Sequence, residues 1–156
     1  MTNSDAPNPD ALIRRLVTYD SVFKMLGMEV VEITDERAVI SMTVTDAMTN
    51  GAKVCQGGII FTLADTAMAM SASTHDEMAF ATTATIEWMK SAVAGDVITA
   101  VGTTRWKGNR PSLHDAVVTN QDGVVIAQFY GRMQRVGGTI SGFLDELDEP
   151  TNVSRP

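Results

Sequence analysis

The apolar residues in the first part of the chain recur at a helical period. In "ALIRRLVTYDSVFKML", residues 11–26, they stand three and four positions apart, and Gly27 follows as an expected stop. Asp10 is a suitable N-cap for this segment. We therefore predict one or two helical segments, broken near Asp20-Ser21. Residues 1–10 contain two prolines among polar residues, and we expect them to form a flexible N-terminal tail.

From Glu29 the pattern changes to the alternation that is typical of strands. In "RAVISMTVT" the apolar residues Ile40, Met42 and Val44 alternate with hydroxyl residues, and the preceding "EVVEIT" is rich in β-branched side chains. Short turns that contain glycine separate the four strands expected later in the chain, so we predict that these form a meander. The four segments are "AFATTATIEWMK", "DVITAVGTTRWK", "LHDAVVTN" and "GVVIAQFYGRMQRV".

One long helix is expected between the two groups of strands. Residues 46–56 have turn chemistry at Asn50-Gly51 and are predicted to form a loop. The segment from Gly57 to His75 is rich in Ala, Leu and Met, and its small residues would let a sheet wrap closely around it. This order of elements predicts an α+β fold in which an antiparallel sheet covers one central helix. We assign a single domain to residues 11–141 and an acidic tail to residues 142–156.

Composition narrows the class of protein. The 156 residues carry a formal net charge of −7, which argues against a nucleic-acid binder. The single cysteine, Cys55, excludes an internal disulfide and favours a reducing compartment, so we expect a cytoplasmic protein. No apolar run is long enough to span a bilayer, and no partnership with a membrane is expected. The scattered His and Cys residues do not form the pattern of a metal site.

Asp65 is an unusual acid, because it stands in the apolar run "IIFTLADTAMAM", where burial of a charge is costly. On a helix its neighbours are Phe61, Thr62, Met68 and Ala69, a mostly apolar face. One interpretation is a carboxylate that accepts hydrogen bonds from nearby threonine hydroxyls or from a partner chain's backbone. The other is a general base or nucleophile whose pKa is raised by its surroundings.

Gln56-Gly57-Gly58 precedes the predicted helix, and free N–H groups at a helix start can stabilise a developing oxyanion. A glycine pair there can equally serve only to make a tight turn. Gly57 and Asp65 are eight residues apart, which corresponds to about 12 Å along one helix. A single thioester or ester group cannot touch both. If both act, Gly57 of one chain must meet Asp65 of another, as a two-fold dimer would allow.

The pattern "NGAKVCQGG" followed by "LADTA", with "TIEWMKSAVAGD" and "RVGGTI" downstream, resembles the hotdog-fold acyl-CoA thioesterases of the PaaI, or phenylacetic-acid-degradation, type. The resemblance implies hydrolysis of an acyl-CoA, commonly an aromatic one such as phenylacetyl-CoA, by a homodimer or a tetramer built from two dimers. It places the catalytic acid on Asp65, the backbone donor on Gly57 and a polar loop residue on Asn50. It also implies a hydroxyl residue on the strand after the helix, where Thr82 and Thr83 are both candidates.

Gln56 departs from this pattern, because many members of the family have His-Gly-Gly where this chain has Gln56-Gly57-Gly58. A glutamine amide can donate a hydrogen bond to a carbonyl but cannot carry a proton. The alternative function is therefore a non-catalytic acyl-CoA binding or sensing domain. A hydratase on the same fold is less favoured, since no histidine stands next to Gly57 or Asp65.

A basic hairpin is the remaining candidate for binding. Arg105, Lys107 and Arg110 surround a predicted turn and could hold the phosphates of coenzyme A, with Trp106 near the adenine. They could also form a solvated turn without function. With Gly58, Thr82 and Thr83 they complete the expected substrate-binding set. We expect no cofactor apart from the coenzyme A of the substrate, and we interpret Cys55 as an unreactive packed thiol.

Overall fold

The computed structural model of the chain describes residues 8–149. The helices and strands between Pro9 and Arg135 lie close to the segments that the periodicity predicts, and a further helix follows them. Their bounds are α1 Pro9–Leu16, α2 Ser21–Met25, β1 Glu29–Thr34, β2 Arg37–Thr43, α3 Gly57–Ala72, β3 Ala79–Trp88, β4 Val97–Lys107, β5 Pro111–Thr119, β6 Val125–Arg135 and α4 Ile140–Asp148. Short 3₁₀ turns follow α1 and α3, and another lies in the loop after β2. The break near Asp20 is confirmed, since its carboxylate accepts a hydrogen bond from Phe23 N and caps α2.

The six strands form one antiparallel sheet in the order β1-β2-β4-β5-β6-β3. The predicted four-strand meander is correct for β4, β5 and β6 and wrong for β3. That strand pairs with β6 at the far edge of the sheet, with Thr85 opposite Tyr130. The reason is that α3 carries the chain from β2 across one face of the sheet to its other edge, so neighbours in sequence are not neighbours in the sheet.

The sheet packs very closely against α3. Ala64 and Ala67 of the helix are fully buried. Gly102 of β4 lies against the helix backbone, and a Cβ atom added there would overlap the Ala67 carbonyl and lie 2.8 Å from Met68 N. Phe61 of α3 meets Phe129 of β6 edge to face, with ring centroids 5.1 Å apart. The small residues of the helix therefore do allow the close wrapping that the sequence predicts.

Both predicted tails need correction where the structure describes them. Helix α1 begins at Pro9, and its N-cap is Asn8, whose side chain accepts a hydrogen bond from Asp10 N. Proline suits the first helical position because its missing N–H has no helical partner there, so the cap lies before it. Asp10 instead pairs with Arg14 in the first turn. Residues 1–7 and 150–156 lie outside the described part of the chain.

The segment from Gly142 to Asp148 belongs to helix α4 and is not a tail. The acidic composition of the segment obscured an apolar stripe in its sequence. Ile140 and Leu144 stand four residues apart, on one face of the helix, and both are buried. Arg15 of α1 pairs with Asp145 at 2.7 Å and with Asp148 at 2.5 Å. The ion pairs with Arg15 and the packing of Ile140 and Leu144 therefore hold this acidic segment against α1, although its composition is typical of a solvated tail. No helix in residues 8–149 has both the length and the apolar character needed to cross a bilayer.

Candidate functional site

Asp65 lies in the middle of α3 and is half-buried. Burial raises the pKa of its carboxyl group above the ordinary value of 3.8. Within residues 8–149 it accepts no hydrogen bond, and the Thr62 hydroxyl donates to Gly58 O instead, at 2.8 Å. The interpretation in which neighbouring threonines satisfy the acid is therefore not supported inside one chain. Two interpretations remain, a carboxylate of raised pKa that acts as base or nucleophile, and one that accepts hydrogen bonds from a partner chain's backbone.

Gly57 begins α3, and its N–H makes no hydrogen bond with any residue that the structure describes. The indole N–H of Trp88 donates to Gly57 O at 3.3 Å. A Cβ atom at position 57 would lie 3.1 Å from the Trp88 ring, whereas one at Gly58 would meet nothing within 4 Å. Glycine at 57 therefore lets the helix start approach the end of β3. No local pattern predicts this contact, because Gly57 and Trp88 are far apart along the chain.

The loop before α3 is held by its own polar groups. Asn50 N donates to Val54 O at 2.8 Å, and the Asn50 side-chain oxygen accepts from Ala52 N at 2.9 Å. Its amide nitrogen donates to none of the described residues. Gln56 is the N-cap residue of α3, with an exposed side chain that makes no capping hydrogen bond. Both amide groups therefore keep a donor that no described residue uses, and that of Gln56 stands next to Gly57 in the chain. Cys55 is buried, and burial raises the pKa of its thiol, which agrees with an unreactive packed side chain.

Thr82 and Thr83 of β3 have different surroundings. A bulge between Ala81 and Thr83 shifts the register, and within it the Thr82 hydroxyl donates to Arg132 O at 3.3 Å. Thr83 pairs with Arg132 and lines a depression on the outer face of the sheet, away from α3. Thr82 does not line that depression, and no described contact joins either threonine to Asp65.

The three basic residues of the β4–β5 hairpin are not brought together. Arg105 pairs with Asp115 at 2.6 Å, and Lys107 pairs with Glu77 at 2.8 Å. Arg110 is exposed and makes no ion pair with the described residues. The single basic ledge expected from their spacing is therefore not formed, because a bulge after Thr104 and the two acidic partners separate the side chains.

The histidines lie apart from these groups. His114 is buried, with Nδ1 3.2 Å from the hydroxyls of Ser71 and Thr104 and Nε2 2.8 Å from that of Ser112. Burial lowers the pKa of His114 to about 4, so it is neutral near pH 7. His75 lies beyond the C-terminal end of α3, beside the carboxylates of Asp35 and Glu36. No contact among residues 8–149 joins a histidine to Asp65 or Gly57, which gives the hydratase alternative no support.

Strand β3 is exposed along most of its length, on both faces. It is also an edge strand, so one side of its backbone lacks a partner strand. Phe80 and Trp88, near its two ends, are 60% and 54% exposed. A long exposed edge of this kind favours pairing with another chain. Within residues 8–149, no cluster of three or more His, Cys, Asp or Glu side chains is placed to hold a metal ion.

Comparison with known proteins gives concordant results. Residues 52–127 match the model of the thioesterase superfamily. The chain is 37% identical over 123 residues to the acyl-coenzyme A thioesterase PaaI of Escherichia coli, an alignment that covers 79% of this chain and 88% of that protein. It is 33% identical over 129 residues to a putative esterase of Archaeoglobus fulgidus, covering 80% and 84% of the two chains.

Two solved structures show the same architecture. The PaaI protein of E. coli, from the phenylacetic acid degradation operon, superposes with a TM-score of 0.83 at 33% identity, over 85% of this chain and 96% of that one. A hypothetical thioesterase from Streptococcus pneumoniae, solved with coenzyme A, gives a TM-score of 0.70 at 22% identity, over 72% and 88% of the chains. At that lower identity the likeness concerns the fold alone.

Proposed function

This chain belongs to the hotdog-fold acyl-CoA thioesterases of the PaaI type, and we propose that it hydrolyses an acyl-CoA to the free acid and coenzyme A at sites shared by two protomers. The observation that carries the proposal is the separation of two groups on α3. Asp65 has a raised pKa, and among residues 8–149 neither its carboxylate nor the Gly57 N–H at the helix start has a hydrogen-bond partner. They stand eight positions apart, which is about 12 Å along the helix.

We infer that the second half of each site comes from a partner chain. Two α3 helices lying antiparallel across a two-fold axis would bring Gly57 of one protomer to Asp65 of the other, and would do so twice. The unpaired edge of β3 supports this arrangement, since two such edges can pair and cover each other. A tetramer of two such dimers is the assembly that we propose.

The proposed chemistry uses the positive end of the helix. The Gly57 N–H would donate to the thioester oxygen, where negative charge develops during attack. The free amide donors of Asn50 and Gln56 lie on the adjoining loop and would assist. Asp65 of the facing chain would then either remove a proton from an attacking water or attack the carbonyl carbon itself, giving a mixed anhydride that water hydrolyses. In both routes coenzyme A leaves as the thiol.

The substrate is proposed from the relatives as well as from the site. A phenylacetyl or related aryl-CoA is supported by the E. coli relative, whose structure is described as coming from the phenylacetic acid degradation operon. Coenzyme A bound to the S. pneumoniae protein supports binding of the same carrier here. Arg110 is the basic residue best able to meet its phosphates, because Arg105 and Lys107 already hold acidic partners. We propose a cytoplasmic enzyme that needs no metal or redox cofactor.

The experiment that tests the function is an assay of thiol release from aryl, short-chain and long-chain acyl-CoA esters, with the wild type beside Asp65→Asn. We expect turnover of at least one ester and a loss of about 100-fold or more in the variant, because the carboxylate is removed and its volume is kept. Asp122→Asn, the same change in the exposed β5–β6 turn, is the matched control and should retain activity.

The competing function is a non-catalytic acyl-CoA binding domain, and the substitution of Gln56 for the common histidine is the feature that favours it. Tight binding of the esters without thiol release by the wild type would establish that alternative. Equal rates for the wild type and Asp65→Asn would remove Asp65 from the mechanism.

A further inference from the structure

A large apolar cleft lies beside α3, between its second half, the start of β3 and the two terminal helices. Its volume is about 740 Å³. The apolar lining comes from four elements and includes Met70, Met78, Phe80, Ile140, Phe143 and Leu147. Phe143 and Leu147 of α4 are each 45% exposed, although the same helix buries Leu144 completely. Helix α4 therefore presents two large apolar side chains to an open space, and an apolar ligand would cover them.

Among residues 8–149, the lining of the cleft offers almost no free polar side chain. The Tyr19 hydroxyl donates to Asp148, and the Ser73 hydroxyl donates to Ala69 O at 2.8 Å. Asp20 uses one carboxylate oxygen to cap α2 through Phe23 N. Both hydroxyl protons are thus engaged inside the protein, and the one charge that lines the cleft is negative. A ligand with a carboxylate or another acceptor would find no donor here and would face Asp20.

One wall of the cleft lies on the same helix as Asp65, one turn further along α3. Ala69 lines its wall and stands four residues after Asp65, on the same face of the helix and about 6 Å further along the axis. Ser73 stands one turn beyond. The cleft is therefore within reach of an acyl group whose thioester is held at Asp65.

We propose that this cleft binds the acyl group of the substrate and selects uncharged hydrocarbon groups, either alkyl chains of medium length or unsubstituted aryl rings. The inference rests on the proposed function for the position of the thioester. Helix α4 forms one wall of the cleft, held against α1 by Arg15. The adaptable side chains of Met70 and Met78 suit a pocket that accepts both shapes.

Binding of non-hydrolysable analogues tests the proposal without requiring turnover. We would measure by calorimetry the affinities of S-(2-oxopropyl)-CoA, S-(2-oxononyl)-CoA and the same long analogue with a terminal carboxylate. The wild type should bind the long analogue at least about tenfold more tightly than the short one, through burial of its methylenes. The carboxylate should remove that gain and weaken binding of the long analogue about 100-fold, because the charge would be buried without a partner.

A matched pair of variants locates the effect. Leu147→Ser should weaken binding of the long analogue about fivefold and leave the short one unchanged, because part of a half-exposed contact is lost. Leu113→Ser makes the same change at a residue of similar exposure, 47%, on β5 and outside the cleft. It should leave both affinities unchanged.

Three results would overturn the assignment: equal affinity for the short and long analogues, full tolerance of the carboxylate, or equal effects of the two leucine variants. If Leu147→Ser changes the sedimentation coefficient and leaves the affinities unaltered, a second copy of the chain occupies the cleft, and the proposal is wrong. Thiol release that depends on Asp65 but ignores acyl length would leave the thioesterase function standing and remove only the cleft. If the protein discriminates between the analogues but hydrolyses no thioester, the assignment of the cleft stands and the thioesterase function is wrong.

Discussion

Substitution of the two adjacent glycines at the start of α3 should have opposite effects on stability. Alanine at 58 adds a methyl group that meets nothing within 4 Å, so only the usual benefit of replacing glycine in a helix applies, about 0.5–1 kcal/mol. Alanine at 57 gains the same benefit but brings its Cβ to 3.1 Å from the Trp88 ring. The half-exposed indole must shift to relieve this crowding and loses its hydrogen bond to Gly57 O, and the two effects together cost about 1–3 kcal/mol.

The two variants should therefore differ by about 2 kcal/mol in the free energy of unfolding, or by roughly 4–8 °C in Tm for a chain of this size. Thermal melts at equal protein concentration measure the difference, since assembly makes Tm depend on concentration. Gly57→Ala should also lose more thiol-release activity than Gly58→Ala, because the displaced N–H no longer points at the same place. Equal Tm values would show that the Gly57–Trp88 contact does not constrain the helix start.

Three further predictions concern the core and its titrating groups. Gly102→Ala should destabilise the fold by about 3 kcal/mol or more, measured by urea unfolding, because its Cβ would overlap the backbone of α3; a small loss would mean that helix and sheet can separate. Folding lowers the pKa of His114 from 6.5 to about 4. Between these two pH values the imidazole is protonated in the unfolded chain and neutral in the folded protein. The free energy of unfolding should drop by up to about 3 kcal/mol as the pH falls through this range, and His114→Gln should lack that part of the dependence. The pKa of Asp65 is higher in the folded protein than in the unfolded chain, so its contribution to stability is present below the unfolded pKa and is lost as the pH rises through the folded pKa. Asp65→Asn should therefore raise Tm at pH 7 but not at pH 4. The acid limb of kcat/KM should accordingly lie above the ordinary carboxyl pKa of 3.8, and a limb at that value would place a solvated carboxylate in the mechanism.

Local patterns determined most of the fold, and their limits explain what the sequence could not predict. Alternation in "RAVISMTVT" located β2 because one face of that strand is buried. The same rule could not place β3 beside β6, since pairing across the sheet depends on the path of α3 and not on local composition. The acids of α4 masked Ile140 and Leu144, whose burial depends on a contact with α1 at the other end of the chain.

The candidate site shows the same division. The sequence alone singles out Asp65, because an acid in an apolar helical run is expected to be buried, and burial of an unpaired charge costs free energy in any fold. The ion pairs of Arg105 and Lys107 depend on acids at positions 115 and 77, and hydrogen bonding of Gly57 O by Trp88 crosses from α3 to β3. No spacing in the sequence encodes these contacts. The apolar cleft likewise joins four elements that only the folded chain brings together.

Complementation between two inactive variants tests the shared site most directly. Asp65→Asn removes the carboxylate, and Gly57→Pro removes the N–H at the first position of α3, where the preceding Gln56 already has an extended backbone. Because its Cβ crowds the Trp88 ring as that of alanine does, circular dichroism must first show that the Gly57→Pro homodimer is folded. Co-expressed with different tags, the two chains should form a heterodimer with one intact site and one doubly deficient site. We predict about half the wild-type activity for the purified heterodimer, while each homodimer is inactive. A heterodimer as inactive as its parents would show that Asp65 and Gly57 of different chains do not act together, and would contradict the account.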